Sequence, residues 1–139
     1  MRGGKARRAG RSEVQVRRFH DCEEITANDG CRLRELLHPD KDGSGVSFSL
    51  AVARVEPGEA THPHRLLGET EVYYVVAGEG RMHIGEETSD LEPGDAVVIP
   101  AGSVQWIECT GDQALLFVAL VSPPWRADHD LRVARPGST

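Results

Sequence analysis

The chain reads as an all-β sandwich or barrel. Six or more short apolar or alternating runs follow one another, Gly- and Pro-containing turns separate them at regular spacing, and no segment carries a helical period. At 139 residues a single domain is expected. A chain of this size buries roughly 68–70% of its unfolded surface, so its core needs no disulfides.

Order is expected from Val14 onward. Asn28, Asp29 and Gly30 form a strong turn signal, after which residues 31–37 read as a short strand. Residues 39–45, with Asp40, Asp42, Gly43, Ser44 and Gly45, read as loop. Over residues 46–52 large and small side chains alternate strictly, a period of two that predicts a strand with one core-facing side. Pro57 and Gly58 end it. Residues 71–77 are β-branched and aromatic, and the turn at Gly78 and Gly80 folds them onto 81–84 as a hairpin. Pro93, Gly94 and Asp95 open onto a strand over 96–99, and Pro100 and Gly102 onto one over 104–109. Thr110, Gly111 and Asp112 lead into 114–121, the most apolar run, which Pro123 and Pro124 end. No internal repeat is visible, so one barrel is expected rather than two in tandem.

Charge is unevenly placed. Residues 1–18 hold seven basic residues and one acid, whereas the remainder holds nine basic and 21 acidic residues. Residues 1–13, rich in Gly, Arg and Ala, are expected to form a flexible basic arm ahead of one domain over 14–139. An acidic body argues against nucleic acid as the partner, because phosphate backbones are held by cation clusters. The odd count of three cysteines (Cys22, Cys31, Cys109), with no CxxC pair, points to reduced thiols in a cytoplasmic protein. No apolar stretch follows Arg7 and Arg8, so no signal peptide is expected. No run approaches the ~18 apolar residues that span a membrane.

The segment from Gly58 to Gly78 carries the chemistry. In extended chain, positions i and i+2 project from one face, so His62 and His64 are expected to point at one spot, with Glu71 reaching it from a neighbouring strand. Two imidazoles and a carboxylate converging inside a β fold suit a divalent metal. Glu69 shares the strand parity of Glu71 and competes with it. Tyr73 lies on the face of Glu71 and is a candidate proton donor. His83 is a weaker candidate, since its face is not fixed by the sequence. Arg54 and Arg65 are possible anion contacts.

Two ordered motifs make the chain similar to the cupin superfamily of small jelly-roll barrels, over about residues 46–122. Gly58, His62, His64, Glu71 and Gly78 follow the order of the first cupin motif; Gly94, Pro100 and Gly102 follow the second. Gln105 stands where that family has histidine and Cys109 where it has asparagine, and six residues rather than three or four separate His64 from Glu71. The resemblance implies a metal site of His62, His64, Glu71 and Gln105, holding zinc, iron, manganese or nickel, with Glu71 or Tyr73 moving a proton. It implies a non-redox isomerase, cyclase or lyase acting on a small oxygenated molecule, the metal serving as Lewis acid. A non-haem iron dioxygenase and a non-catalytic small-ligand (sugar) module are the alternatives. The resemblance also implies a homodimer, with an outward-facing Trp106 in need of cover and the tail from Trp125 placed to reach across.

Overall fold

In the computed structural model, which describes residues 13–134, two antiparallel sheets face each other as a jelly-roll barrel. The basic arm expected over residues 1–13 lies, apart from its last residue, outside the described residues. The first sheet has six strands in the order β1-β2-β3-β10-β5-β8: β1 (Glu24–Thr26), β2 (Arg32–Leu37), β3 (Ser49–Val55), β5 (Thr70–Ala77), β8 (Ala96–Ile99) and β10 (Leu115–Ser122). The second has five, ordered β11-β4-β9-β6-β7: β4 (His64–Leu66), β6 (Gly80–Ile84), β7 (Glu87–Leu91), β9 (Gln105–Cys109) and β11 (Asp130–Arg132). Residues 71–77 and 81–84, expected to fold onto each other as a hairpin, instead fall in different sheets. β5 pairs with β10 and β8, β6 pairs with β9 and forms its hairpin with β7, and the chain crosses from one sheet to the other at Gly78. The φ of Gly78 is +80°, and a Cβ there would lie 2.4 Å from the Ala114 carbonyl oxygen.

The expected strands form within a few residues of their predicted limits. Short β1, β4, β7 and β11 carry too little periodicity to be read in advance. Residues 39–42, expected as loop, instead make one helical turn, α1 (Pro39–Asp42). Pro39 starts it, the His38 ring accepts from the Asp40 N–H, and Gly43 ends it in the left-handed region with φ 65°.

The alternation over 46–52 also resolves in an instructive way. β3 begins only at Ser49, and it turns its small side chains inward. Ala51 stands opposite Ala119 and Ala53 opposite Phe117 on β10, while Val52 pairs with Val118 on the outer face. The inner layer has no room for two large rows where Phe117 packs on Tyr73, their ring centroids 4.3 Å apart. Followed two residues at a time, the inner faces of β5, β9 and β10 change character along the strand. On β5 the series is Glu71, Tyr73, Val75; on β9 it is Gln105, Ile107, Cys109; on β10 it is Val121, Ala119, Phe117, Leu115. One end of the barrel is therefore packed with large apolar groups, and the other is polar or lined with small residues.

The segment after β10 closes over that second end. Trp125 donates its backbone N–H to Ser49 Oγ (2.9 Å) and its indole N–H to Asp130 Oδ2 (2.8 Å), while its carbonyl accepts from His38 Nε2 (2.8 Å). β11 then pairs with β4. The tail from Trp125, expected to reach toward a partner, thus lies through residue 132 on its own barrel.

Candidate functional site

The polar end of the barrel encloses a cavity of about 210 Å³. Leu33, Ala51, Ala119 and Val121 form its apolar wall, and Asp29, His64, Glu71 and Asp130 its polar one. The small inward residues of β3 and β10 leave this space open.

β4 supplies His64. Its ring is buried; Nδ1 donates to the His62 carbonyl oxygen at 3.2 Å, which leaves Nε2 toward the cavity, 3.9 Å from Asp29 Oδ2. Asp29, in the predicted turn, is itself buried and accepts the Cys31 N–H on Oδ1 (3.1 Å). Gln105 on β9 is the register partner of His64 and is 1% exposed. It sits in the middle of a buried hydrogen-bonded chain. Tyr73 Oη donates to Gln105 Oε1 (3.0 Å), and Gln105 Nε2 donates to Glu71 Oε1 (3.0 Å). The amide is committed at both ends, which fixes its orientation.

Electrostatics follow from burial. Desolvation pushes the Glu71 carboxyl up to about 8; the Gln105 hydrogen bond opposes this, and the charges of Asp29 and Asp130 add to it. Burial, reinforced by the Glu71 charge, holds the Tyr73 phenol protonated well above its ordinary range. Burial and then Asp29 likewise keep the Cys31 thiol protonated, so it is no nucleophile. A carboxyl raised to about 8 on the wall of a cavity that also holds an imidazole can both give and take a proton.

Several expectations need correction. His62 does not enter the cavity. It precedes β4, is exposed, and lays its ring over Gly30, where a Cβ would come within 3.0 Å of His62 Cδ2. Its backbone N–H, not its ring, is engaged, donating to the Asp29 carbonyl oxygen at 2.6 Å. The i, i+2 rule holds only inside a strand, and the inward partner of His64 within β4 is Leu66. Of the two competing carboxylates, Glu71 lines the cavity. Glu69 lies ahead of β5 and accepts from His129 Nδ1 (2.7 Å). His83 lies on the outer face, 2.6 Å from Glu108 and stacked on Trp106 at 3.5 Å between centroids. Trp106 does face away from the cavity, as expected, but is half-buried there. Arg54 pairs with Glu24 and Glu56, and Arg65 is exposed; neither lines the cavity. Asp29, Asp130 and Trp125 were not foreseen as site residues. The only signal for Asp29 was the turn, and nothing local announces that a tail segment folds back to bring in the other two.

The donor set does not suit a divalent ion. Among the described residues no three His, Cys, Asp or Glu side chains come together as a metal group. The buried ring of His64 is alone on its strand face, and the amide of Gln105 is already committed.

Fold and cavity together define a small two-sheet barrel with an interior cavity at one end. The chain belongs to the cupin family: its sequence matches the cupin domain over residues 51–121. It is 36% identical over 97 residues to an uncharacterized protein of Methanocaldococcus jannaschii, covering 70% of this chain and 77% of that one. It is 32% identical over 68 residues to an oxalate-binding protein of Thermotoga maritima, covering 49% of this chain and 56% of that protein. A crystal structure of a predicted oxalate decarboxylase from Thermotoga maritima superposes with a TM-score of 0.68 at 26% identity, over 78% of this chain and 99% of that one. No helix among the described residues is long and apolar enough to cross a membrane.

Proposed function

We propose that the barrel binds one small oxygenated organic molecule and that Glu71, beside His64, moves a proton on it, a non-redox reaction of the isomerase, cyclase or lyase type. The observation that carries this reading is the Tyr73–Gln105–Glu71 chain, which ends on the wall of the cavity that also holds His64. Such a chain holds the carboxyl in one position, and the apolar wall excludes water from the proton being moved. The metal-dependent form of the reading loses its support with His62, and the two-histidine dioxygenase reading loses it with the same residue. The test is wash-in of solvent deuterium into a panel of small keto acids and sugars, followed by proton NMR. Wild-type protein should catalyse exchange on one member. Glu71→Gln should slow it by about 10²–10⁴-fold while binding persists. Binding without exchange would make the protein a small-ligand module instead.

That second reading has an observation of its own, the likeness to an oxalate-binding protein. Against oxalate itself stands the cavity's charge: four carboxyls (Asp29, Glu35, Glu71 and Asp130) line it against one cation, Lys41, which is already paired with Glu35.

We also propose a homodimer in the cytoplasm. Its contact is the outer face of the first sheet rather than Trp106. There Tyr74, Val76 and Val98 are 48%, 52% and 61% exposed, and Val72 stands opposite both Val98 and Leu120. Sedimentation should give a dimer at micromolar concentration and a monomer for Val76→Asp. A wild-type monomer would remove the proposal. The compartment is supported by three free cysteines, two of them buried.

A further inference from the structure

β4 offers the cavity only two inward side chains, His64 and Leu66, each at most 4% exposed and both on its lining. One is an imidazole and the other an isobutyl group. Across the sheet, the register partner of His64 is Gln105, whose oxygen accepts from Tyr73 and whose amide N–H donates to Glu71. On the facing wall Asp29 uses Oδ1 for the Cys31 N–H, and Oδ2 stays 3.9 Å from His64 Nε2. The donor nearest His64 Nε2 is thus a single oxygen of Asp29, and the other two carboxyls of this wall are held elsewhere, Glu71 by Gln105 and Asp130 by Asn28 and Trp125. A transition-metal ion needs about three or four protein donors closing around it.

We infer that this barrel takes no divalent ion and that Leu66 is the residue that decides it. Its side chain stands on the inner face of β4, two residues from His64 and pointing the same way, where a second imidazole would complete a pair. The polar end is held instead by the Tyr73–Gln105–Glu71 chain, which needs no cation to keep its geometry. The inference concerns the cavity of the proposed function but not its reaction. Metal uptake is read with no organic ligand present, so either idea can fail alone.

The experiment uses the full chain, free of any polyhistidine tag, equilibrated with manganese, zinc, nickel or ferrous chloride and then desalted. Plasma mass spectrometry should find less than about 0.1 ion per chain in the wild type, and neither metal nor EDTA should move its Tm by more than about 1 °C. Leu66→His should take up about one zinc or nickel ion per chain and gain roughly 5–10 °C in Tm at saturating metal. Adding His64→Ala to it should abolish both gains. A wild type carrying about one ion per chain, lost in His64→Ala, would overturn the inference. So would a folded Leu66→His that binds none, which would remove Leu66 from the deciding role. If that variant does not fold, the wild-type measurement still decides whether the barrel takes an ion.

Discussion

The two ends of the barrel interior are built from the same strands and put them to opposite use. At the closed end Val75, Met82, Ile107, Leu115 and Phe117 are at most 2% exposed, and the buried Thr61 hydroxyl beside them is used up in accepting the Ile107 N–H at 2.9 Å. At the open end the same strands present Glu71, Gln105, Ala119 and Ala51, with His64 from β4, and leave a cavity. Large side chains remove apolar area from water and hold the sheets together. Small ones at the equivalent inward positions give up that packing and leave room for a ligand. Stability and chemistry are thereby separated along about two inter-residue steps of each strand, and substitutions at the two ends should fail in different ways.

The largest effect is expected at the closed end. Phe117→Ala deletes a buried ring that packs on Tyr73 and should cost about 3–5 kcal/mol of unfolding free energy, read from the urea midpoint. Proton exchange by the fraction still folded should change little. A loss below about 1 kcal/mol would mean that the closed end is not the stabilising half.

Glu71→Gln tests the open end, and its sign is reversed. The folded-state carboxyl titrates near 8 against an ordinary 4.5. Between those values the unfolded chain has released the proton while the folded one retains it. Wild-type stability should therefore fall as pH rises from about 4.5 to about 8, by at most about 5 kcal/mol. Glutamine keeps the oxygen that accepts from Gln105 and cannot ionise. The variant should match the wild type within about 1 kcal/mol at pH 5 and exceed it by about 2–4 kcal/mol at pH 8, measured by urea denaturation at both pH values. Equal pH slopes for the two proteins would show that Glu71 is not desolvated.

The contrast also explains what the sequence disclosed. The long strands were legible because a period of two survives over seven or eight residues, as in β5 and β10, and because Gly78 and the Pro-Gly turns punctuate them. β4 was not, because three residues carry no period, and His62 does not share the face of His64 because it lies ahead of the strand's first residue. Glu71 and Tyr73 were legible because both lie inside one long strand and share its inward face. Asp29 and Asp130 were not: each reaches the cavity through a contact between distant parts of the chain, and Asn28 is joined to Asp130 by a hydrogen bond across 102 residues. The inward direction of the small side of β3 was likewise decided by β10 opposite it rather than by β3 itself.

The smallest expected effect is the most pointed. His62 and His64 look equivalent in the sequence, yet one ring lies on the surface over Gly30 and the other is buried on the cavity wall. His62→Ala keeps the main-chain N–H that holds the Asp29 carbonyl, so stability should stay within about 0.5 kcal/mol and ligand binding should be unchanged. His64→Ala leaves a buried space beside Gln105 and removes the imidazole nearest Asp29, and should cost about 1–3 kcal/mol in a thermal or urea titration. If the two alanine variants lose binding equally, the surface ring must swing inward when a ligand arrives, and the asymmetry drawn between the two histidines is wrong. If only His64→Ala loses it, the polar wall ends at β4, and the six-residue gap before Glu71 reflects a site built on His64 alone.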